Sequence, residues 1–265
     1  MDSLFDPLFH VPWITGFFLA LLLPILGAYL RMRDEWLAAL GLAQMSAAAG
    51  LIGFGFGLPV FVAGPLGGAI MAIIKTLSRA SNTAYALMIL CGWAVTFLVA
   101  ANTPLGESLG HSLVDGQIYF VQNTQCVVTF MVLLISLPCL KWMSSYLLRA
   151  KLFPHYEKLN EQKPFRWHLG FDLLVAVNMG IATASVGLMT AFAMVFIPPW
   201  IAFSLAQNWR AALFIAIGFN VIAYTLGFAF ALIMDQPYGP LQVAIHLILG
   251  LGILAMAKLY SAGKK

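Results

Sequence analysis

Nine apolar stretches follow one another along the chain, and this pattern leaves lipid as the solvent for most of the molecule. A helix needs about 20 predominantly apolar residues to cross the roughly 30 Å hydrocarbon core. The sequence predicts such helices over about Trp13–Leu30, Trp36–Gly57, Val60–Ile74, Thr83–Ala101, Ile118–Leu140, His168–Ser185, Val186–Ala206, Ala211–Met234 and Leu241–Leu259. Charged residues make up 9% of the chain. A water-facing domain carries about 25%, so this chain lacks the polar groups to cover itself in water. The expected fold is all-α: one polytopic membrane domain over residues 1–265, with about nine spans.

The charges sort by side. With the N-terminus outside and the C-terminus inside, the inner segments hold Arg31, Arg33, Lys75, Arg79, Lys141, Arg149, Lys151, Lys158, Lys163, Arg166, Arg210, Lys258, Lys264 and Lys265, which are all fourteen basic residues. The outer segments hold Asp2, Asp6, Glu107, Asp115 and Asp235. Cytoplasmic connections carry an excess of Lys and Arg, and a wrong span count would scramble the separation. The expected location is the bacterial inner membrane. The net charge of +4 therefore reports topology; the basic stripe that nucleic acid requires is missing. The first ten residues carry Asp2 and Asp6 without Lys or Arg, the wrong charge for a cleavable signal. Small residues at Gly53 and Gly57, and at Gly64 and Gly68, have the spacing that lets helix backbones approach in lipid.

Catalytic chemistry has no motif here. The sequence contains no GxxxxGK[ST] phosphate loop, no HExxH and no GxSxG. Cys91, Cys126 and Cys139 lie in or beside apolar runs without CxxC spacing and read as small packing residues. No cofactor is expected. Polar residues inside spans are costly and tend to face a bundle interior or a pathway. They are Gln44, Asp172, Asn178, Asn220 and His246, with Asp172 one turn inside its span near the inner interface. His246 carries a nitrogen able to ligate a metal, or to bond a core carbonyl. His111 and Asp115 pair an imidazole with a carboxylate four residues apart on the outer side, either a cation contact or a solvated loop. The segment 141–167 is basic, interrupted by Pro154 and Pro164, and too long for a simple turn. It suits docking of a cytoplasmic protein or of anionic lipid.

Three stretches resemble the permeases of metal-ion ABC importers, the zinc and manganese type. One is the basic pair Arg31 and Arg33 followed by Leu40-Gly-Leu-Ala-Gln44-Met-Ser-Ala-Ala-Ala-Gly50. Another is Val186-Gly187 leading through an apolar run to Ile197-Pro198-Pro199. The third is Gly227 followed by Asp235-Gln-Pro237-Tyr-Gly239-Pro240. Leu40 and Gln44 stand where zinc permeases carry Asp and His, and Glu157 and Glu161 stand where the family's inner turn has small residues.

The resemblance implies a transport subunit, not an enzyme, acting as a homodimer with a separate cytoplasmic ABC ATPase and a periplasmic metal-binding protein. The transported substrate would be a divalent metal, zinc before manganese. The pathway would involve Gln44, Asp115, Asn178, Asn220, Asp235 and His246, with His246, His111 and Asp115 as metal contacts. Pro154, Tyr156, Glu157, Lys158, Asn160 and Glu161 would couple to the ATPase. A secondary transporter and a membrane scaffold are the alternatives, the first requiring an internal repeat that the sequence does not display.

Overall fold

The computed structural model describes residues 6–78, 81–103, 113, 116, 118–153 and 165–262. Among the described residues nine helices are long and apolar enough to cross a membrane. They are α1 (His10–Met32), α2 (Trp36–Gly55), α3 (Val60–Ser78), α4 (Asn82–Asn102), α5 (Asn123–Leu152), α6 (Phe165–Val186), α7 (Leu188–Leu205), α8 (Trp209–Met234) and α9 (Tyr238–Ala262). The nine-span, all-α fold read from the apolar stretches is the fold observed.

Several boundaries differ from the sequence expectation; α5 begins at Asn123, not at Ile118, which lies in a separate short 3-10 turn, Ile118–Phe120. Helix α5 has 30 residues, or about 45 Å at 1.5 Å per residue, and so outruns the roughly 30 Å hydrocarbon core. Residues 141–152, expected to open the polar segment, instead continue α5, and 165–167 begin α6. There Trp142 and Tyr146 of α5 pack on Trp167 of α6 with ring centroids 4.9 and 5.1 Å apart. At the other end, α9 begins at Tyr238, so Gly239 and Pro240 lie in its first turn and not in the preceding loop. Proline is tolerated there because its missing N–H would have no helical partner. The loop is only Asp235–Pro237, and Asp235 turns the chain in the left-handed region with φ 51°. Finally, a single residue separates α6 from α7: Gly187, with φ 85° and ψ 158°, a conformation open essentially to glycine alone.

The helices form a buried middle and a lipid-facing surround. The most apolar windows of α2 and α6 are each 67% buried, whereas that of α9 is 17% buried. Helix α2 packs on α3, α4 and α6, helix α1 on α5, α7 and α8, and α9 rests on α7 and α8. Leu87, Leu90 and Leu98 of α4, and Ile248, Leu251 and Met256 of α9, point outward.

The tightest joint lies where α3 meets α6. A Cβ on Gly180 of α6 would fall 2.8 Å from Pro65 Cα, and one on Gly68 of α3 would fall 3.3 Å from the Ala176 carbonyl and collide with Ser46 Oγ. Higher numbers on α6 face lower numbers on α3, so the two helices run antiparallel, backbone against backbone. Lipid supplies no hydrophobic drive between helices, and close van der Waals contact through small residues replaces it. Of the two glycine pairs, Gly64 and Gly68 both serve this joint. Gly53 meets Ala63, but Gly57 ends a turn with φ 79° and no neighbour within 4 Å among the described residues.

Candidate functional site

Two buried polar assemblies stand out against the apolar bundle. The first joins α1, α8 and α9. Asn220, Gln242 and His246 are all fully buried. The Asn220 amide Nδ2 donates to the Ala20 carbonyl of α1 at 2.8 Å, which turns its Oδ1 toward His246 Nε2, 2.7 Å away. A flipped amide would set two acceptors face to face, so these partners assign the proton to Nε2. Gln242 Nε2 donates to the Ala223 carbonyl at 3.0 Å and lies 3.0 Å from His246 Nδ1. The Gln242 main-chain carbonyl is also 2.8 Å from Nδ1. Both ring nitrogens are thus occupied by protein groups. Gly227 faces the Gln242 side chain so closely that a Cβ there would collide with Oε1.

The second assembly closes one end of the bundle, where the loop between α1 and α2 meets α3 and α6. Lys75 Nζ donates to Asp172 Oδ1 at 2.6 Å and to Glu35 Oε2 at 2.9 Å. Arg33 Nη2 lies 2.9 Å from Glu35 Oε2 and 3.6 Å from Asp172 Oδ1. Two cations and two anions therefore alternate in a ring: Arg33, Glu35, Lys75, Asp172. Lys75 and Asp172 side chains are each 3% exposed and Glu35 is 24% exposed. Thr76 Oγ1 is 2.8 Å from both Asp172 Oδ2 and the Ala72 carbonyl, and its one proton serves one of them at a time. The Arg33 guanidinium stacks 4.9 Å from the Phe171 ring centroid. Burial opposes the ionised Glu35 carboxylate, yet Arg33 and Lys75 beside it outweigh that penalty and hold its pKa below the ordinary carboxylate value.

The sequence-predicted site residues fall into three groups. Asn220 and His246 are brought into direct contact. Among the described residues no hydrogen bond joins Gln44, Asn178 or Asp235 to them or to one another. Gln44 is buried on α2 under Gly92 of α4, where a Cβ would lie 2.7 Å from the Gln44 carbonyl carbon. Asn178 Nδ2 donates to Ser136 Oγ at 2.9 Å and to the Leu174 carbonyl at 2.8 Å, joining α6 to α5, while its Oδ1 finds no partner among the described residues. Asp235 lies near Tyr119, whose phenol is pushed up to about 12 by burial and then by the Asp235 charge. His111, Asp115, Pro154, Tyr156, Glu157, Lys158, Asn160 and Glu161 lie outside the described residues. Among the described residues no three His, Cys, Asp or Glu side chains come together as a metal-binding group.

Sequence reading missed Gln242 and the ionic ring. Both left traces. Gln242 and His246 are four apart and so share a helix face. Glu35 and Asp172 are acids on the side of the molecule where all the bases gather, and an acid there implies a partner.

The comparisons with known proteins follow this architecture. The chain aligns over 95% of its length with 93% of a chain of PsaBC from Streptococcus pneumoniae, solved in complex with Fab, at 19% identity and a TM-score of 0.83. It aligns over 97% of its length with 90% of a chain from an inward-facing structure described as a metal-chelate type ABC transporter, at 17% identity and a TM-score of 0.75. At these identities the likeness is one of fold. No curated protein matches the sequence. The model of the ABC 3 transport family matches residues 6–257. That match spans all but the ends of the chain, and the protein belongs to the ABC 3 transport family as a polytopic membrane permease of the metal-type ABC transporters.

Proposed function

We propose that this permease moves a divalent metal ion, zinc or manganese, inward across the bacterial inner membrane. It would act as a homodimer with a cytoplasmic ABC ATPase and a periplasmic metal-binding protein. The family match over residues 6–257 carries this reading. The chain holds no phosphate-binding loop of its own, so nucleotide hydrolysis falls to a separate subunit.

Orientation follows from charge. All fourteen basic residues gather at one side when the N-terminus is outside and the C-terminus inside, which supports placing 154–164 in the cytoplasm. Pro154, Tyr156, Glu157, Lys158, Asn160 and Glu161 then form the ATPase-coupling segment. The pathway runs past Gln44, Asn178, Asn220 and His246, with His111, Asp115 and Asp235 at the outer mouth, where acids raise the local cation concentration. His246 ligates the ion in transit through Nε2, giving up its bond to Asn220 as the ring proton moves to Nδ1, which faces the Gln242 main-chain carbonyl at 2.8 Å.

The test is uptake by proteoliposomes containing the chain and its co-purifying ATPase. ATP-dependent accumulation of Mn2+ or Zn2+ is expected, and its absence with both metals would sink the importer reading. Unchanged uptake in His246→Ala would remove that residue from the pathway. Reporter fusions that place 154–164 outside would overturn the orientation.

A further inference from the structure

The ionic ring occupies a position that the transport reading leaves without a task. Asp172 lies seven residues into α6, about 10 Å along the axis from Phe165. Immediately before Phe165, in sequence, comes the proposed coupling segment. On the other flank of that segment α5 ends, and the Trp142, Tyr146 and Trp167 rings fasten the two helices together. A displacement of the coupling segment therefore reaches α6 through a rigid aromatic contact.

From α6 the ring is a polar link to α3. Asp172 is its only member on α6; Lys75 and Thr76 belong to α3, and Arg33 and Glu35 to the connection between α1 and α2. Beyond the ring, Ala176 and Gly180 continue the same face of α6 along Gly68 and Pro65 of α3. That seam is built of small residues whose backbones approach closely. The charged ring ties the two helices together at one end of it.

We propose that the Arg33–Glu35–Lys75–Asp172 ring is the joint through which motion of α6 is passed to α3 and the α1–α2 connection, so that these four are positioning residues for ATP-coupled transport. This rests on the reading of the chain as the permease of an ATP-driven importer. Neutral in sum and buried at its Lys75–Asp172 core, the ring keeps its geometry because separating that pair exposes unpaired charge to an apolar surrounding. A joint of that kind transmits displacement without stretching.

The experiment uses the full permease with its own ATPase in proteoliposomes, supplied with Mn2+ alone or Zn2+ alone, and reads metal taken up per ATP hydrolysed. In the double variant Lys75→Met with Asp172→Leu, apolar side chains of similar size replace the charged pair. The assembled complex is expected to keep hydrolysing ATP while metal per ATP falls at least tenfold. Asp172→Glu, which keeps the charge, is expected to stay within threefold of wild type. Unchanged metal per ATP in the double variant would overturn the proposal. If the double variant does not assemble, Glu35→Gln at the more exposed edge decides: a loss of threefold or more in metal per ATP supports the joint, and an unchanged ratio overturns it. Failure of the importer reading itself looks different, since the wild-type complex would then show no ATP-dependent uptake at all.

Discussion

Lys75 and Asp172 stand 97 positions apart in sequence and share a 2.6 Å hydrogen bond at one end of the α3–α6 seam, each side chain only 3% exposed. An ion pair at such depth is held less by the attraction itself than by the cost of parting it. The attraction roughly repays desolvation of both partners, whereas removing one partner strands the other.

Single and paired substitutions are therefore expected to behave in opposite ways. Asp172→Leu alone leaves Lys75 and Arg33 against one carboxylate and should cost about 3–5 kcal/mol. Lys75→Met added to it should recover most of that loss. Thermal unfolding of the four combinations in mild detergent measures the coupling, and additive effects would contradict the packed ring.

Acid should loosen the same ring. The folded-state pKa of Glu35 lies below its ordinary value of 4.5. Its contribution is thus fully present above pH 4.5 and is lost as pH falls from there through the folded value. The unfolding midpoint of wild type should drop across that window more steeply than the midpoint of Glu35→Gln, and parallel curves would argue against the ion pairs.

Two glycines of α8 offer a matched comparison. Gly227 abuts Gln242 Oε1, while Gly218 has nothing within 4 Å among the described residues. Gly227→Ala should push Gln242 from the His246 network and cost about 1–3 kcal/mol. Gly218→Ala should be neutral or slightly stabilising, since alanine is favoured over glycine within helices by about 1 kcal/mol. Equal effects in detergent unfolding would mean that close approach is not what Gly227 provides.

Asn220→Ala removes the acceptor from His246 Nε2 and the donor from the Ala20 carbonyl. The buried groups left unpaired should cost about 1–3 kcal/mol. Hydrogen exchange at the His246 ring, followed by NMR on histidine-labelled protein, should speed up as the Nε2 bond is lost; an unchanged rate would place that bond elsewhere.

Much of this fold was legible because lipid imposes simple rules. The apolar stretches marked every span, and Arg31 and Lys75 marked helix ends. Local chemistry was harder to see. The break at Gly187 carries no charge, and only the backbone angle of one residue makes it. Residues 141–152 were polar enough to read as loop, yet a helix can leave the membrane and continue in water. The ring was hidden because Glu35 and Asp172 are 137 positions apart, and nothing in either segment alone predicts that α3 will bring Lys75 between them. His246 and Asn220 were each visible as costly polar residues, but not as partners.

Among the nine described helices α9 has the least of itself hidden. Its arrival completes a circuit begun by α1, since the Asn220 amide that reaches back to Ala20 offers its oxygen to a ring that does not exist until α9 has been made. A nascent chain halted at the Asp235–Pro237 loop would present that oxygen to hydrocarbon without a partner. Docking of α9 on α7 and α8 thus gives the Asn220 oxygen its partner.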